Sequence, residues 1–253
     1  MSRPVAIVTG GSRGIGRATV ERLLSDGARV AFCGRDEAAG RNALAQFGTS
    51  PDALFVKCDV SRENDVRDLV AACTERLGPP TVLVNNAGIN ATFDAVTMTE
   101  TEWNGFFAVD LKAAWLCAKH VLPHQVAAGG GAIVNVSSIH AAVTRDSFFP
   151  YAAAKSALVG LTRSLALDYG PKGVRVNCVC PGFTRTRLVE ESIRLADDPE
   201  AAERAMVAGV ALGRIADPSE IAAVIAFLTS SDAGYVTGAT LFVDGGLTAR
   251  RAG

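Results

Sequence analysis

The sequence predicts an α/β fold, a doubly wound parallel sheet of seven strands with helices on both faces. Three observations predict it. Seven short runs rich in Val, Ile, Leu and Phe recur along the chain, each too continuous for a strand with one wet face. Segments with helical periodicity separate these runs, and a glycine-rich turn follows the first one. This alternation is typical of a parallel sheet that is covered on both faces and joined by right-handed crossovers.

The predicted strands share a high content of branched apolar residues. In chain order they are residues 5–9, 29–33, 53–58, 81–85, 132–137, 175–180 and 239–243. The helical segments between them carry apolar residues at spacings of three and four, as in Val20, Leu23 and Leu24. A further helix is predicted over residues 151–169. The elements follow one another without a low-complexity linker, which predicts a single domain over residues 1–253.

The composition excludes several classes of protein. The chain has 253 residues, with 25 Lys and Arg against 26 Asp and Glu, so its formal charge is −1. Hydrophobic residues make up 49% of it, enough to bury a substantial core. The near-neutral charge gives no reason to expect nucleic acid or an anionic membrane as a partner. No stretch approaches the roughly 18 apolar residues of a membrane span.

The six cysteines favour a reducing compartment. Cys33, Cys58, Cys73, Cys117, Cys178 and Cys180 form no C-x-x-C pair. Most lie in apolar runs, and a chain of this length does not need disulfides for stability. We therefore expect buried free thiols and a cytoplasmic protein. His120 and His124 are four residues apart but lack a third ligand, so we expect no metal site.

The glycine-rich turn predicts a dinucleotide site. The first strand runs into Thr9-Gly10-Gly11-Ser12-Arg13-Gly14-Ile15-Gly16, and a helical stretch follows. Glycines at such a turn let the backbone approach a pyrophosphate, and the helix N-terminus supplies unpaired N–H donors. We expect Gly10, Ser12, Arg13, Gly14, Ile15 and Gly16 to bind the cofactor.

The residues after the second strand favour NADP(H) over NAD(H). Asp36 lies 20 residues after Gly16, the spacing of an NAD ribose carboxylate, but it falls beyond the strand tip, where it is expected to cap the next helix. Gly34 occupies the tip and leaves room for a phosphate. Arg35 follows it, and Arg13 projects from the glycine turn toward the same place. Two guanidinium groups there favour a 2′-phosphate; the alternative is that both arginines are solvated surface.

Tyr151, Lys155 and Ser138 are the candidate catalytic residues. Tyr151 and Lys155 are four apart in a predicted helix, which places them on one face. A phenol is a poor acid–base catalyst near neutral pH unless a neighbouring cation stabilises its phenolate form, and Lys155 supplies that cation. Ser138 ends a buried strand at the edge where ligands bind, so it is positioned to hydrogen-bond a substrate oxygen.

With these motifs in order, the sequence resembles the short-chain dehydrogenase/reductase family over essentially its whole length. The matching motifs are Thr9-Gly10-x-x-x-Gly14-Ile15-Gly16, Asn85-Asn86-Ala87-Gly88, Ser138, Tyr151-x-x-x-Lys155 and Pro181-Gly182-x-x-x-Thr186. The resemblance implies a Rossmann fold and hydride transfer between a nicotinamide and a secondary alcohol or ketone. It implies that Tyr151 exchanges the proton, Ser138 orients the carbonyl and Lys155 also holds the nicotinamide ribose.

The resemblance also implies further cofactor contacts and an oligomer. Asp59 and Val60 would flank the adenine. The remaining implied cofactor residues are Asn86, Ala87, Gly88, Tyr151, Lys155, Pro181, Gly182, Thr184 and Thr186. The terminal Val243-Asp244-Gly245-Gly246 is similar to the closing strand of the family, which is usually buried in a homotetramer.

One catalytic position departs from the family pattern. Asp110 stands where the family usually has an Asn that holds a water in the proton relay. We hypothesise that its charge, near Tyr151 and Lys155, opposes formation of the phenolate. The alternative is that Asp110 points elsewhere and matters little.

The substrate pocket is expected to take a small polar molecule. Asn90 and His140 lie at positions similar to those with which some family members hold a sugar, sugar acid or hydroxy acid, and Arg145 and Arg185 near the mouth could add a carboxylate partner. Residues 183–214, a long segment after the sixth strand, are a candidate substrate lid; the alternative is a solvated helical excursion.

Three other functions stay open. A 3-oxoacyl thioester reductase would usually present basic residues to an acidic carrier protein before the fifth strand, where residues 122–129 contain no Lys or Arg. A secondary-metabolite ketoreductase is a further possibility. A non-catalytic NADP sensor or scaffold would belong to a different class, and the presence of Tyr151, Lys155 and Ser138 argues against it.

Overall fold

The computed structural model describes residues 3–48, 50–90 and 92–249, apart from the side chain of residue 188. In this part of the chain seven parallel strands form one sheet in the order β3-β2-β1-β4-β5-β6-β7. The strands are β1 (Val5–Thr9), β2 (Arg29–Gly34), β3 (Ala53–Lys57), β4 (Val82–Asn85), β5 (Gly131–Val136), β6 (Val174–Pro181) and β7 (Thr240–Val243). The predicted fold class is confirmed, and each predicted strand boundary lies within one residue of the observed one.

Helices cover both faces of this sheet. They are α1 (Gly14–Ser25), α2 (Glu37–Gln46), α3 (Glu63–Arg76), α4 (Glu100–Phe107), α5 (Ala113–Ala127), α6 (Phe149–Tyr169), α7 (Arg187–Arg194), α8 (Pro199–Ala208) and α9 (Pro218–Thr229). One core layer packs α1, α2 and α9 against the sheet through residues such as Val20, Ala43 and Ile225. The other packs α3, α5 and α6 through residues such as Leu69 and Val121. Burial on both faces explains why the strands are apolar at nearly every position.

The strand order reverses between β1 and β4, which are neighbours in the sheet. The connections after these two strands leave in opposite directions and open a crevice at their carboxyl ends, where ligands bind in sheets of this type. The glycine turn follows β1, and the Asn86-Ala87-Gly88 turn follows β4, so both lie at this crevice.

A π-helical turn (Ala108–Lys112) interrupts the helical stretch between α4 and α5. The local sequence gives no sign of this turn. Such turns occur within α-helices mainly at functional sites, because the extra residue re-aims side chains. Here the turn carries Asp110, which is 2% exposed.

The segment between β6 and α9 contains two short helices, α7 and α8, which together occupy much of residues 183–214. Asp198 caps α8 by accepting a hydrogen bond from the Ala201 amide, and Pro199 begins the helix. The segment therefore has regular structure of its own beside the carboxyl edge of the sheet.

All six cysteines are free and buried, as expected. Within the described residues, no helix combines the length and the apolar character that a membrane crossing requires. The same residues contain no group of three or more His, Cys, Asp or Glu side chains arranged to hold a metal ion.

Candidate active site

A large cavity opens at the carboxyl ends of the strands, with a volume of about 1120 Å³. The cavity extends from the tip of β2 to α6 and on to α7 and α8. Sixteen of the eighteen predicted cofactor positions line it, namely Gly10, Arg13, Gly14, Ile15, Arg35, Asp59, Val60, Asn86, Ala87, Gly88, Tyr151, Lys155, Pro181, Gly182, Thr184 and Thr186. The predicted substrate residues Asn90, Ser138, His140 and Tyr151 line it as well.

The two remaining predicted cofactor positions do not line this cavity. Gly16 is buried where α1 packs on the glycine turn, and a Cβ there would overlap the Gly10 carbonyl oxygen and the Asn86 side chain. Ser12 faces a smaller pocket between α1 and α2. Its Oγ is buried without a hydrogen-bond partner among the described residues. Gly16 and Ser12 therefore contribute to the shape of the glycine turn and would not directly contact a ligand in the large cavity.

The glycine turn forms a cradle that side chains would fill. Gly14 begins α1 with a φ of +53°, in the left-handed region that favours glycine. A Cβ on Gly14 would lie 3.1 Å from the Thr186 methyl group, so this side of the turn has no room to spare. The helix N-terminus behind the turn supplies N–H donors for an anion. These features fit the pyrophosphate of a dinucleotide.

Four hydrogen bonds join the end of β1 and the glycine turn to the turn after β4, one of them from the Asn86 side-chain amide to the Gly10 carbonyl at 3.3 Å. The Thr9 hydroxyl accepts from the amides of Asn86 and Ala87, both at 3.0 Å. The Asn86 side-chain amide donates to the Thr9 carbonyl at 3.0 Å. The two turns that line the middle of the cavity are therefore held together as a unit.

The tip of β2 has no carboxylate facing the cavity. Gly34 and Arg35 line it there, and Asp36 instead caps α2 by accepting from the Ala39 amide, as predicted. Asp59 accepts hydrogen bonds from the Ser61 amide and hydroxyl. Burial raises the pKa of Asp59, but these hydrogen bonds and the charges of Arg35 and Arg62 hold it below its usual value.

Arg13 already has a carboxylate partner. Its guanidinium lies 2.6 Å from Asp36 Oδ2, and both side chains are about half exposed. The capping bond from Ala39 and the charge of Arg13 hold the pKa of Asp36 below its usual value. A phosphate bound at this end would have to compete with Asp36 for Arg13.

Arg187 is a residue at this end that sequence reasoning missed. It begins α7, lines the cavity and pairs with Glu191 at 2.6 Å. It also lies near enough to Asp36 for the two charges to interact. The only signal in the sequence was its place in the charged segment after β6.

The candidate catalytic residues converge at the other end of the cavity. Tyr151 and Lys155 are one turn apart on α6, and Ser138 follows β5. The Lys155 side chain is buried, with Nζ 5.4 Å from the centroid of the Tyr151 ring. Ser138 is 7% exposed, and its hydroxyl accepts from the His140 amide at 3.3 Å. The phenol, the ammonium and the hydroxyl therefore lie around one point of the cavity wall.

Asp110 lies directly behind Lys155. Its Oδ2 is 3.2 Å from Lys155 Nζ, and its Oδ1 accepts from the Ile89 amide at 2.8 Å. Burial raises the pKa of the Asp110 carboxyl above its usual value, against the effects of Lys155 and the Ile89 amide. Burial alone lowers the pKa of Lys155, but Tyr151 and Asp110 raise it above its usual value, so the ammonium stays charged. The side chain predicted to sit near Lys155 is therefore its ion-pair partner, and it does not line the cavity.

Beyond Tyr151 the wall is aromatic. His140 stacks on Phe148 with a centroid distance of 4.9 Å and meets the Tyr151 ring edge-on at 5.5 Å. The His140 Nδ1 lies 3.0 Å from the Thr144 hydroxyl. Burial and the charge of Arg145 lower the pKa of His140, so its ring is neutral at neutral pH.

The two arginines predicted near the mouth differ in their surroundings. Arg145 lines the cavity and lies over the Phe148 ring, with Cζ 4.1 Å from its centroid. Arg185 does not line the cavity and pairs with Glu203 at 2.6 Å. The prediction that Arg185 offers a charge to a substrate is corrected, because Glu203 on α8 neutralises it.

Comparison with known proteins agrees with this geometry. A protein-family model described as enoyl-(acyl carrier protein) reductase matches residues 10–248. Cis-4-hydroxycyclohexanecarboxylate dehydrogenase of Sinomonas cyclohexanicum is 42% identical over 246 residues, which is 97% of this chain and 96% of that protein. L-fucose dehydrogenase of Bos taurus is 39% identical over 96% of this chain and 88% of its own. The crystal structure of levodione reductase superposes with a TM-score of 0.92 at 34% identity, covering 98% of each chain.

Proposed function

The chain belongs to the short-chain dehydrogenase/reductase family of oxidoreductases, and we propose that it is an NADP(H)-dependent member that interconverts a secondary alcohol and a ketone on a small polar substrate. The observation that carries this proposal is the convergence of Tyr151, Ser138 and the buried Lys155 on one wall of the cavity whose other end is the glycine turn. A sensor or scaffold would not need a charged lysine buried beside a tyrosine, because that burial is costly.

In this proposal Tyr151 moves the proton. For reduction, the Tyr151 hydroxyl donates its proton to the substrate oxygen; for oxidation, the phenolate removes the hydroxyl proton. The charge of Lys155 stabilises the phenolate form. The Ser138 hydroxyl hydrogen-bonds the same substrate oxygen and orients it. A bound nicotinamide supplies or accepts the hydride at the carbon that bears this oxygen.

The walls of the cavity suit a dinucleotide along its length. The glycine turn and the α1 N-terminus would hold the pyrophosphate. Asp59 and Val60 would flank the adenine, and the Asn86-Ala87-Gly88 turn would line the middle of the molecule. Lys155 would also hold the nicotinamide ribose, with Thr184 and Thr186 near the carboxamide.

Preference for NADP(H) is supported by the charges at the β2 tip. Gly34 and Arg35 line the cavity there, and Arg35 has no hydrogen-bonded carboxylate partner among the described residues. Arg13 lies at the same end. Although Asp36 pairs with Arg13, a phosphate carries more charge and more acceptor atoms than a carboxylate, so it competes well for the guanidinium.

A sugar, sugar acid or hydroxy acid is the proposed class of substrate. Asn90 and the neutral His140 provide polar contacts near Tyr151, and Ser138 holds the reacting oxygen. Two of the relatives are named for a hydroxy acid and a sugar. Docking of an acidic carrier protein is not favoured, because residues 122–129 offer no Lys or Arg and Lys119 on α5 pairs with Glu63.

A homotetramer in the cytoplasm is the proposed state of the enzyme. Large apolar side chains are exposed, among them Tyr235 and Phe242 near β7, Trp115 on α5 and Leu167 on α6. Faces of this kind favour association between copies. The six free cysteines suit a reducing compartment. Light scattering of the purified protein would measure the mass; a monomer would contradict the tetramer.

The proposed function is tested with a panel of sugars, sugar acids, hydroxy acids, 3-oxoacyl esters and cyclic ketones. Each compound is assayed with NADP(H) and NAD(H) by the absorbance of the reduced nicotinamide. We expect turnover of at least one secondary alcohol or ketone, with a lower KM for the phosphorylated cofactor. No turnover with either nucleotide across the panel would contradict the function.

A further inference from the structure

The cavity beyond Tyr151 contains one cation that has no carboxylate partner among the described residues. Arg145 lines this part of the cavity, and no Asp or Glu of the described chain lies within ion-pair distance of it. The two arginines at the start of the segment after β6 are paired: Arg187, toward the β2 end, with Glu191 and Arg185 with Glu203, each at 2.6 Å. Arg145 is therefore the side chain in this region that still has its charge available for a ligand.

The guanidinium of Arg145 is held in place by the aromatic wall. It lies over the Phe148 ring at 4.1 Å, and Phe148 is 4% exposed, so the ring is a fixed platform. The Phe148 ring in turn meets the Tyr151 ring edge-on at 6.0 Å. The distance from Arg145 Cζ to the centroid of the Tyr151 ring is therefore at most the sum of these two distances. A compact molecule can span from the phenol to the guanidinium.

The turn that carries Arg145 is also fixed. Ser147 has a φ of +64°, the only left-handed backbone among the non-glycine residues described. Its carbonyl accepts from the Phe93 amide at 3.1 Å. A strained residue of this kind persists when its surroundings define it well, and such residues cluster at ligand sites. The arginine is therefore not carried by an unsupported loop.

Charge and shape then select the ligand. A guanidinium that lies over a ring can still offer N–H donors to a planar acceptor, which matches a carboxylate in a bidentate arrangement. The adjacent His140 is neutral and adds no second charge. The side chains that line this cavity include the apolar Val143, Phe148, Leu195, Met206 and Leu247. One cation at the far end of an apolar pocket suits a single carboxylate on an apolar spacer.

We propose that Arg145 is a specificity residue, and that the substrate is a compact keto acid or hydroxy acid in which one apolar ring or short chain separates the reacting carbon from the carboxylate. This inference rests on the proposed function and names its substrate class. In the reductive direction the ketone carbon takes a hydride from the reduced nicotinamide and the ketone oxygen takes a proton through Tyr151. The product is the hydroxy acid, and the carboxylate stays unchanged against Arg145.

The test compares an acid with its neutral ester. Initial rates are measured for 4-oxocyclohexanecarboxylate, its methyl ester and 4-methylcyclohexanone, with the wild type, Arg145→Met and Arg145→Lys. In the wild type we expect kcat/KM to be higher for the acid than for the ester. Arg145→Met should raise KM for the acid about tenfold or more, the value of a charge-assisted hydrogen bond, and should leave the ester within about twofold. The KM of Arg145→Lys for the acid should lie between the values of the wild type and Arg145→Met.

Arg185→Met is the matched control, because it removes a positive charge that does not line the cavity and already has a carboxylate partner. Arg185→Met should leave the KM for the acid and the KM for the ester unchanged. A second readout is competitive inhibition by cyclohexanecarboxylate against 4-methylcyclohexanone, which Arg145→Met should weaken by a similar factor. Equal effects of Arg145→Met on acid and ester would mean that the arginine only supports the wall, and would overturn the inference.

The outcomes also separate this inference from the proposed function. If the wild type reduces the two neutral ketones but shows no preference for the acid, the substrate class is wrong and the function stands. If it reduces none of the three, and none of the wider panel, both are wrong.

Discussion

The Asp110 carboxylate lies 3.2 Å from the Lys155 ammonium, and both side chains are buried. The negative charge of Asp110 partly offsets the positive charge of Lys155 that would otherwise act on Tyr151. The other oxygen of Asp110 holds the Ile89 amide, so the carboxylate also fixes the start of the loop after the Asn86-Ala87-Gly88 turn. Asp110 is therefore a positioning residue whose charge bears on the chemistry.

Replacing Asp110 with Asn should shift the pH dependence of alcohol oxidation toward lower pH. Oxidation needs the phenolate of Tyr151. Without the carboxylate, the full charge of Lys155 stabilises that phenolate, so it forms at lower pH. We expect the rising limb of the kcat/KM profile to move down by about one pH unit, the size of the effect of one nearby charge. Superimposable profiles, or a shift to higher pH, would contradict the role given to Asp110.

Gly88→Ala should lower turnover by disturbing the same ion pair. A Cβ on Gly88 would lie 3.2 Å from both Asp110 Oδ2 and Lys155 Nζ, closer than a buried pair can accept without moving. We expect kcat to fall about tenfold or more, because small displacements of catalytic groups are costly. Gly105→Ala on α4 is the control, since a Cβ there meets nothing within 4 Å. An unchanged kcat for Gly88→Ala would show that the pair tolerates the displacement.

Arg35→Ser should weaken the binding of NADPH and leave the binding of NADH nearly unaffected. The reason is that only NADPH offers a phosphate to the guanidinium at the β2 tip, where hydrogen bonds between charged groups are worth about 1.5–3 kcal/mol. KM for NADPH should therefore rise about tenfold or more. Arg41→Ser serves as a control, because Arg41 pairs with Glu37 away from the cavity. A wild type that prefers NADH would refute the interpretation of Arg13 and Arg35.

Asn135→Ala should destabilise the fold beneath the site. Asn135 is 1% exposed, accepts from the Asn85 amide and donates to the Thr162 hydroxyl, both at 2.9 Å. The variant leaves these buried groups short of a partner, at a cost of about 1–3 kcal/mol. Urea denaturation measures the change in the free energy of unfolding. The exposed Asn104→Ala should stay near the wild type; equal stability of both variants would contradict a structural role for this network.

The sheet was predictable because a strand that is buried on both faces needs apolar residues at nearly every position. Strands such as β1 and β2 are apolar at nearly every position, and glycines stop them at their carboxyl ends, so their limits could be placed closely. The cap of α2 was predictable for a similar reason, since Asp36 precedes a helical stretch and follows a strand that ends at Gly34.

Features that depend on partners distant in sequence were not predictable. The π-helical turn around Asp110 interrupts a helical stretch, and the local sequence carries no sign of it. Arg145 and Arg185 looked alike in the sequence, and what separates them is that Glu203, 18 residues away, meets one and not the other. The pairing of Arg13 with Asp36 was missed for the same reason.

Tyr151→Phe tests the central claim most directly, that Tyr151 exchanges the proton in a nicotinamide-dependent reaction. With a substrate that the wild type turns over, the absorbance of the reduced nicotinamide follows the rate, and fluorescence titration with NADPH follows cofactor binding. We predict that turnover falls by a factor of at least about 10², the contribution of a general acid–base group, while the affinity for NADPH stays within a few-fold of the wild type. Turnover that survives the substitution would contradict the account.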